Sequence, residues 1–362
     1  MKKIHIALLF GGRSAEHAVS ILSAKSIFSA LDPEKYDVTL IEISQEWKWM
    51  TRKPDVFDET TESTPWESVS FPPESGWELC FTGEHARCEK IDVVFPILHG
   101  PYGEDGTVQW LLELANVPYV GAWVLGSAVG MDKDVMKRLL RDAHIPVAKF
   151  LVFQRGESID THRIEKELGF PCFVKPANLG SSVWVSRVAE KHELEQAIQE
   201  AYRFDRKILI EQGIVGREIE CSVLGNNNPL ASLPWEVIAG DVFYSYDEKY
   251  SSEQKTRIEI PAKLDAWIQK EVQELAVKTF RVLECEWFGR IDFFLENSGR
   301  ILVNEINTIP WFTAYSMYPK LWEASGVGYS ELIDTIIRLA IERYEAKSKL
   351  QTSHEFFQEL DR

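Results

Sequence analysis

The sequence predicts a chain of mixed α/β and α+β class in three parts, and three observations carry that reading. First, an apolar run at Ile4–Phe10 leads through a glycine-containing loop, Gly11–Ala15, into a helix over Val19–Leu31 and a second strand over Tyr36–Ile43. Strand, helix and strand in that order predict a parallel, Rossmann-like sheet. Second, a new unit begins near Gly121, where a helix is followed by strands, a further helix and more strands. Third, Gly289–Glu296 and Gly299–Thr308 read as two strands of a hairpin closed by the turn Asn297, Ser298, Gly299. At 362 residues the chain is long enough for two or three domains. We place them at 1–121 (Rossmann-like), 122–211 (central α+β) and 212–362 (C-terminal α+β, carrying the hairpin).

Along the chain, Lys53–Gly76 is rich in Pro, Ser, Thr and Glu and reads as a surface excursion. Ile91–Leu98 is a buried strand running into His99-Gly-Pro-Tyr-Gly-Glu104, Val108–Ala115 a helix and Val117–Val120 a short strand. Helix formers fill Lys133–Ala143 and Lys191–Tyr202. Strands are expected at Ala148–Phe153, to Lys175, at Lys207–Gln212, Glu218–Leu224, Ser232–Ile238 and Asp241–Tyr246. A polar loop, Asp247–Arg257, precedes a long amphipathic helix at Leu264–Val282. After the hairpin come a loop, Pro310–Tyr318, a last helix, Tyr329–Ala346, and a polar tail expected to fray.

Hydrophobic residues make up 45% and charged residues 27%, as in soluble globular proteins. The net charge of −16 disfavours nucleic-acid and anionic-membrane partners, and no basic aromatic patch argues otherwise. A local cluster of cations still suits an anionic small substrate. Cys80, Cys88, Cys172, Cys221 and Cys285 are scattered and without CxxC spacing. Reduced thiols of a cytoplasmic protein are therefore expected, rather than a disulfide framework or zinc site. The N-terminal apolar run resembles the start of a signal peptide, but it is short and Gly11, Gly12 and Arg13 break it. No stretch approaches the ~18 apolar residues of a membrane span.

Chemistry concentrates in the hairpin. Residues two apart on a strand share a face, so Arg290 and Asp292 point one way, as do Glu305 and Asn307. Hard oxygen donors of this kind suit Mg²⁺ held between carboxylates and phosphates, and an arginine beside them suits developing negative charge. The same pattern also fits a solvated face with ordinary ion pairs. Lys175, followed by Gly180, Ser181, Ser182 and Val183, could cradle phosphate through lysine, hydroxyls and backbone amides, or be a turn with a surface lysine. Lys133 opens a helix, where it could face a phosphate or water. Glu211 and Glu218, flanking Ile214, could line a hinge that binds adenine and ribose, or be surface acids. Glu16 and His99 each follow a strand's C-terminal end, where α/β sheets bind ligands. Lys249 and Tyr250 fall in the polar loop, a lid or a solvated segment.

Seven segments, in this order and spacing, resemble the D-alanine–D-alanine ligases of the ATP-grasp superfamily. They are LFGGRSAEH (from Leu9), LHGPYGEDGT (from Leu98), GMDK (from Gly130), FVKPANLGSSV (from Phe173), YDEKY (from Tyr246), GRID (from Gly289) and NEINTIP (from Asn304). The resemblance runs from Ile4 to about Ala340 and implies an ATP-grasp fold with ATP between the second and third parts. It implies ATP-dependent joining of two D-alanines through an acyl phosphate, for peptidoglycan precursor synthesis, by a homodimer. Asp292, Glu305 and Asn307 would hold two Mg²⁺ (or Mn²⁺) with the ATP phosphates. Lys133, Lys175 and Ser182 would grip phosphates, Lys249 would reach the γ-phosphate, and Glu211, Ile214 and Glu218 would line the adenine and ribose pocket. Glu16 would bind the first amino group with His99 nearby. Ser181 and Tyr250 would bridge lid to Glu16, and Ser316 and Met317 would cradle the second carboxylate. Arg290 and a backbone N–H near Trp311 would form the oxyanion hole. The resemblance implies that the lid pair Lys249–Tyr250, which depsipeptide-forming relatives lack, would favour D-alanine as second substrate.

The chain also departs from the family pattern. Trp47, Trp110, Trp123, Trp184, Trp235, Trp287 and Trp311 stand where the pattern has glycine, and Ala18 where it has an acid. Tryptophan adds an indole and penalises positive φ. The chain could be a diverged ligase that accommodates the indoles, or a catalytically impaired ATP-binding relative in which Trp311 closes the dipeptide site. It could also be a ligase for another second substrate, D-lactate or D-serine. One base change, GGG to TGG, converts glycine to tryptophan, so a shared origin of the seven in the sequence itself is a further explanation.

Overall fold

The structure is a computed structural model and describes residues 2–52, 57, 67–72, 78–82, 86–180, 184–238 and 257–351. The expected strand at Asp241–Tyr246, most of the polar loop, Ser181, Ser182, Lys249, Tyr250 and the end of the tail lie outside the described residues.

The first sheet is built on β1 (Ile4–Gly11), which α1 (His17–Ala30) connects to β2 (Tyr36–Ile43). From β2 the chain meanders through β3 (Trp49–Arg52), β4 (Glu67–Ser70), β5 (Glu78–Thr82) and β6 (Arg87–Lys90) before β7 (Val93–Pro96). The order is β6-β5-β4-β3-β2-β1-β7. β1 lies between β2 and β7, parallel to both, and Ile6–Phe10 is wholly buried because both faces are covered. β1 ends at Gly11, with φ +89°, where an added Cβ would meet the Ile43 carbonyl oxygen at 2.5 Å. Glycine therefore lets the chain turn there and present Glu16 above the sheet.

After β7 come α2 (Thr107–Leu114), α3 (Val124–Met131) and α4 (Lys133–Asp142). The Asp132 carboxylate caps α4, accepting from the Asp134 and Val135 amides at 3.1 Å, which sets Lys133 at the first helical position. The second sheet contains β8 (Phe150–Gln154), β9 (Cys172–Pro176), β10 (Ser186–Val188) and β11 (Lys207–Gln212) in the antiparallel order β10-β9-β11-β8. Two helices belong to this part, α5 (Thr161–Glu167) and α6 (Leu194–Ala201), and α6 packs on β9 and β10.

The third sheet has β12 (Gly216–Leu224) at its centre, with β13 (Leu230–Ala231), β14 (Trp235–Ile238) and β15 (Arg257–Glu259) toward one edge. The long helix α7 (Ala266–Val282) packs on β12 and β16 (Phe288–Glu296), and β16 pairs with β17 (Ile301–Asn307). The chain ends in α8 (Met317–Ala324) and α9 (Tyr329–Ser348). α9 returns to the first sheet, where Ile333, Ile336 and Ile337 share a core with β1 and β7.

Several expectations need correction. Lys53–Gly76 is not all surface excursion, because β4 lies within it and buries Val69. Val117–Val120 forms an isolated parallel bridge, Tyr119 to Val94, rather than a strand. Helices α3 and α5 were not expected, and Pro310–Tyr318 already contains the start of α8. The cysteines are not all free thiols. Cys80 and Cys88 face each other across β5 and β6, 4.1 Å apart at Cα, and are joined by a disulfide. Their pairing follows from a hairpin too short to stand out in the sequence. Cys172, Cys221 and Cys285 are free and buried, and burial pushes the Cys172 thiol up to about 11 and that of Cys221 up to about 12.

The tryptophans divide by backbone. Trp47, Trp184 and Trp287 have φ of 64°, 66° and 62°, in the left-handed region. These are glycine backbones carrying an indole, strained by about 1–3 kcal/mol each. Trp47 meets Tyr102 edge-on, and Trp184 stacks on Phe204. Trp287 is fully buried beneath the Arg343 guanidinium, 4.5 Å from its ring. Trp110 on α2 and Ala18 are exposed and demand no repacking, whereas Trp123, the extended residue before α3, is half-buried and packs against the first core beneath Arg343. Trp47→Gly and Trp184→Gly are each expected to raise the free energy of unfolding by about 1 kcal/mol, read by urea denaturation. A loss of stability would show that the ring contacts outweigh the strain.

Candidate active site

A single cleft of about 370 Å³ runs between the second and third sheets and reaches the loop after β1. Its floor is the hairpin. Arg290 pairs with Asn307 and Asp292 with Glu305 across β16 and β17, with a bulge just after Asp292. Ile291 and Ile306 face the core from the other side, as alternation requires. Arg290 grips Asp292 through two bonds, Nε to Oδ1 at 2.7 Å and Nη2 to Oδ2 at 2.8 Å, and lies 3.2 Å from Glu220. Burial works against the guanidinium charge, but Asp292 and Glu220 outweigh it and hold the pKa above the ordinary arginine value. The Asn307 amide donates to Asp292 Oδ2 at 3.0 Å.

The next wall carries lysines. Lys133 lies 3.3 Å from Glu305 and donates to the Leu179 carbonyl at 2.6 Å. Lys175 and Lys137 converge on Glu211: Lys175 pairs with Oε2, and Lys137 with Oε1 at 2.5 Å. Burial pushes Glu211 up, yet Lys137 and Lys175 carry it below the usual carboxylate range. Burial lowers Lys137. Ile214 and Glu218 line the same cleft beyond Glu211.

At the far end, Glu16 is 5% exposed. Ser14 fixes its loop by donating to the His99 carbonyl at 2.6 Å and accepting from the Glu16 amide at 3.2 Å. His99 sits behind this wall, buried, its ring between the Ser23 hydroxyl and the Ile309 carbonyl, each at 3.0 Å. Burial lowers its pKa, which favours the neutral ring. The Trp311 indole N–H donates to Glu16 Oε1 at 3.0 Å. Met317 lines the cleft and its sulfur accepts from Arg290 at 3.6 Å, whereas the Ser316 hydroxyl is taken up with Thr313.

The sequence matches a family of known architecture over both halves. The model described as "D-ala D-ala ligase N-terminus" matches residues 5–122, and that described as "D-ala D-ala ligase C-terminus" matches residues 139–338. The chain belongs to the D-alanine–D-alanine ligase family. A D-alanine–D-alanine ligase of Shouchella clausii is 45% identical, covering 98% of this chain and 99% of its own. The D-alanine-D-alanine ligase structure from Coxiella burnetii superposes with TM-score 0.86 at 37% identity, covering 96% of this chain and 97% of that one. The VanG D-Ala:D-Ser ligase from Enterococcus faecalis superposes with TM-score 0.84 at 35% identity, covering 94% and 100%. The three-sheet arrangement is thus the fold of these ATP-grasp ligases.

Three residues of this D-alanine–D-alanine ligase family member escaped the sequence reading. Lys137 stands one helical turn after Lys133 on the same face of α4; Lys133 lines the cleft, and Lys137 lies buried behind it on Glu211. That spacing was a usable signal. Glu104 lies in the motif after β7, and burial and the nearby Glu16 raise its pKa well above the carboxylate norm, so it tends to hold its proton. Glu220 links Arg290 to the buried Trp235, whose indole donates to it at 2.8 Å.

Proposed function

We propose that this chain joins two D-alanines into D-alanyl-D-alanine, with conversion of ATP to ADP and phosphate, for peptidoglycan precursor synthesis. The observation that carries the reading is the hairpin face of Arg290, Asp292, Glu305 and Asn307, set in one cleft with the lysines and with Glu16. In this reading the first D-alanine places its ammonium at Glu16 and its carboxylate toward Arg290. A carboxylate oxygen attacks the γ-phosphorus of ATP, ADP leaves, and an acyl phosphate forms. The neutral amine of the second D-alanine attacks that carbonyl, a proton leaves the nitrogen, and phosphate departs from the tetrahedral intermediate. Arg290 and the backbone N–H at Trp311 stabilise the oxyanion. Ser316 and Met317 meet the second carboxylate, and His99 holds the wall behind Glu16. Lys133, Lys175 and Ser182 hold phosphates, and Glu211, Ile214 and Glu218 bound the nucleoside. Ser181, Lys249 and Tyr250 close the site against water, which would hydrolyse an acyl phosphate.

The donors Asp292, Glu305 and Asn307 are hard oxygens on neighbouring positions of one face, a set that fits Mg²⁺ or Mn²⁺. Two such ions held there would neutralise charge on the transferring phosphoryl group. Lys133 pairs with Glu305 and Arg290 with Asp292. The division at 1–121, 122–211 and 212–362, a homodimer and a cytoplasmic location belong to the same proposal, supported by family membership and the use of ATP. No helix of the described residues is long and apolar enough to cross a membrane.

A different second substrate is the alternative, because the fold matches the D-Ala:D-Ser ligase as well as the D-Ala-D-Ala ligase. Phosphate release from ATP and Mg²⁺ is expected to depend on D-alanine and not L-alanine, with the dipeptide as product. Faster release with D-serine or D-lactate beside D-alanine would favour the alternative. ATP binding without any such release would contradict both.

A further inference from the structure

We propose that Trp311 is a side-chain gate on the ammonium subsite at Glu16, and that it sets how readily the first amino acid enters. The inference rests on the ligase reading of the cleft. The Trp311 indole N–H already makes a hydrogen bond to Glu16 Oε1, at 3.0 Å, that an incoming ammonium would make. An indole nitrogen, like an ammonium, only donates, so an ammonium that approaches Glu16 Oε1 from the side the indole holds must displace it.

The geometry restricts how this gate opens. The backbone after Trp311 is pinned to α1: the Phe312 amide donates to Ser23 Oγ at 3.3 Å and the Ala314 amide to Ser26 Oγ at 3.0 Å. The Phe312 ring is fully buried among Phe95, Phe288 and Tyr318, and Pro310 restricts φ on the other side. Opening is therefore a rotation of the indole rather than a movement of the loop. A hydrogen bond between two ions is stronger than one with a single ionised partner, so an ammonium displaces the indole and a neutral hydroxyl does not. The gate thus excludes hydroxy acids from the first site while weakening the binding of amino acids.

Steady-state kinetics at saturating ATP and Mg²⁺ test this, with D-alanine saturation resolved into its two sites. Trp311→Gly is expected to lower the first-site KM about tenfold, the scale of one hydrogen bond to a charged group, with the ATP KM unchanged. Trp311→Phe keeps the bulk without the N–H and is expected to fall between, and it also serves if the glycine variant does not fold. A first-site KM that is unchanged or raised in folded variants overturns the gate and leaves the ligase reading standing. Absence of D-alanine-dependent phosphate release in parent and variants alike overturns both.

Discussion

Replacing Arg290 with leucine is expected to lower turnover by about 10²–10³-fold, the scale on which loss of one oxyanion donor is felt. The same change is expected to destabilise the protein by about 3–5 kcal/mol, because Asp292 and Glu220 lose the charge that compensates their burial. The two effects separate by experiment. A melting curve reports the ion-pair loss, while kcat under conditions where the variant is folded reports the chemistry. Arg290→Lys keeps a charge but not the planar fork that meets Asp292 at two points. It should recover stability more than turnover. Turnover near that of the parent in folded Arg290→Leu would remove Arg290 from the oxyanion site.

Lys137→Met is expected to cost about 3 kcal/mol of stability, at the low end for breaking a buried ion pair. Lys137 is 0% exposed, and its ammonium is shared between Glu211 and the Asn304 carbonyl, 3.0 Å away. The low end applies because Glu211 keeps Lys175. Adding Glu211→Gln to Lys137→Met should recover part of the loss, a coupling that urea denaturation of the two single variants and the pair would measure. Purely additive losses would show that Lys137 acts by packing its stem rather than by charge.

The hairpin was legible in the sequence because strand alternation sends Arg290, Asp292, Glu305 and Asn307 to one face, with Ile291 and Ile306 on the other. The β1–α1–β2 opening was legible for the same kind of reason, a strand period giving way to a helix. Lys137 was not, because a lysine inside a charged helix reads as solvated until the strands it faces are known. The antiparallel arm β3–β6 was missed because its strands span only four or five residues, too short for a period to show, and the Cys80–Cys88 pairing was missed with it. Contacts between distant parts of the chain carry no local signal. The Trp311–Glu16 bond, between residues 295 apart, is one, and the return of α9 to the first sheet is another. The tryptophans show the two levels together. Trp47, Trp184 and Trp287 stand where the family resemblance leads one to expect glycine, and each has the left-handed backbone that glycine accepts without steric cost.

The central claim is that an oxygen of the first D-alanine carboxylate attacks ATP, and isotope transfer tests it most directly. D-alanine labelled with ¹⁸O in its carboxylate, incubated with the protein, ATP and Mg²⁺, is expected to deliver labelled oxygen into inorganic phosphate as the dipeptide forms. Dipeptide formed without label in the phosphate would contradict the acyl-phosphate route through this cleft.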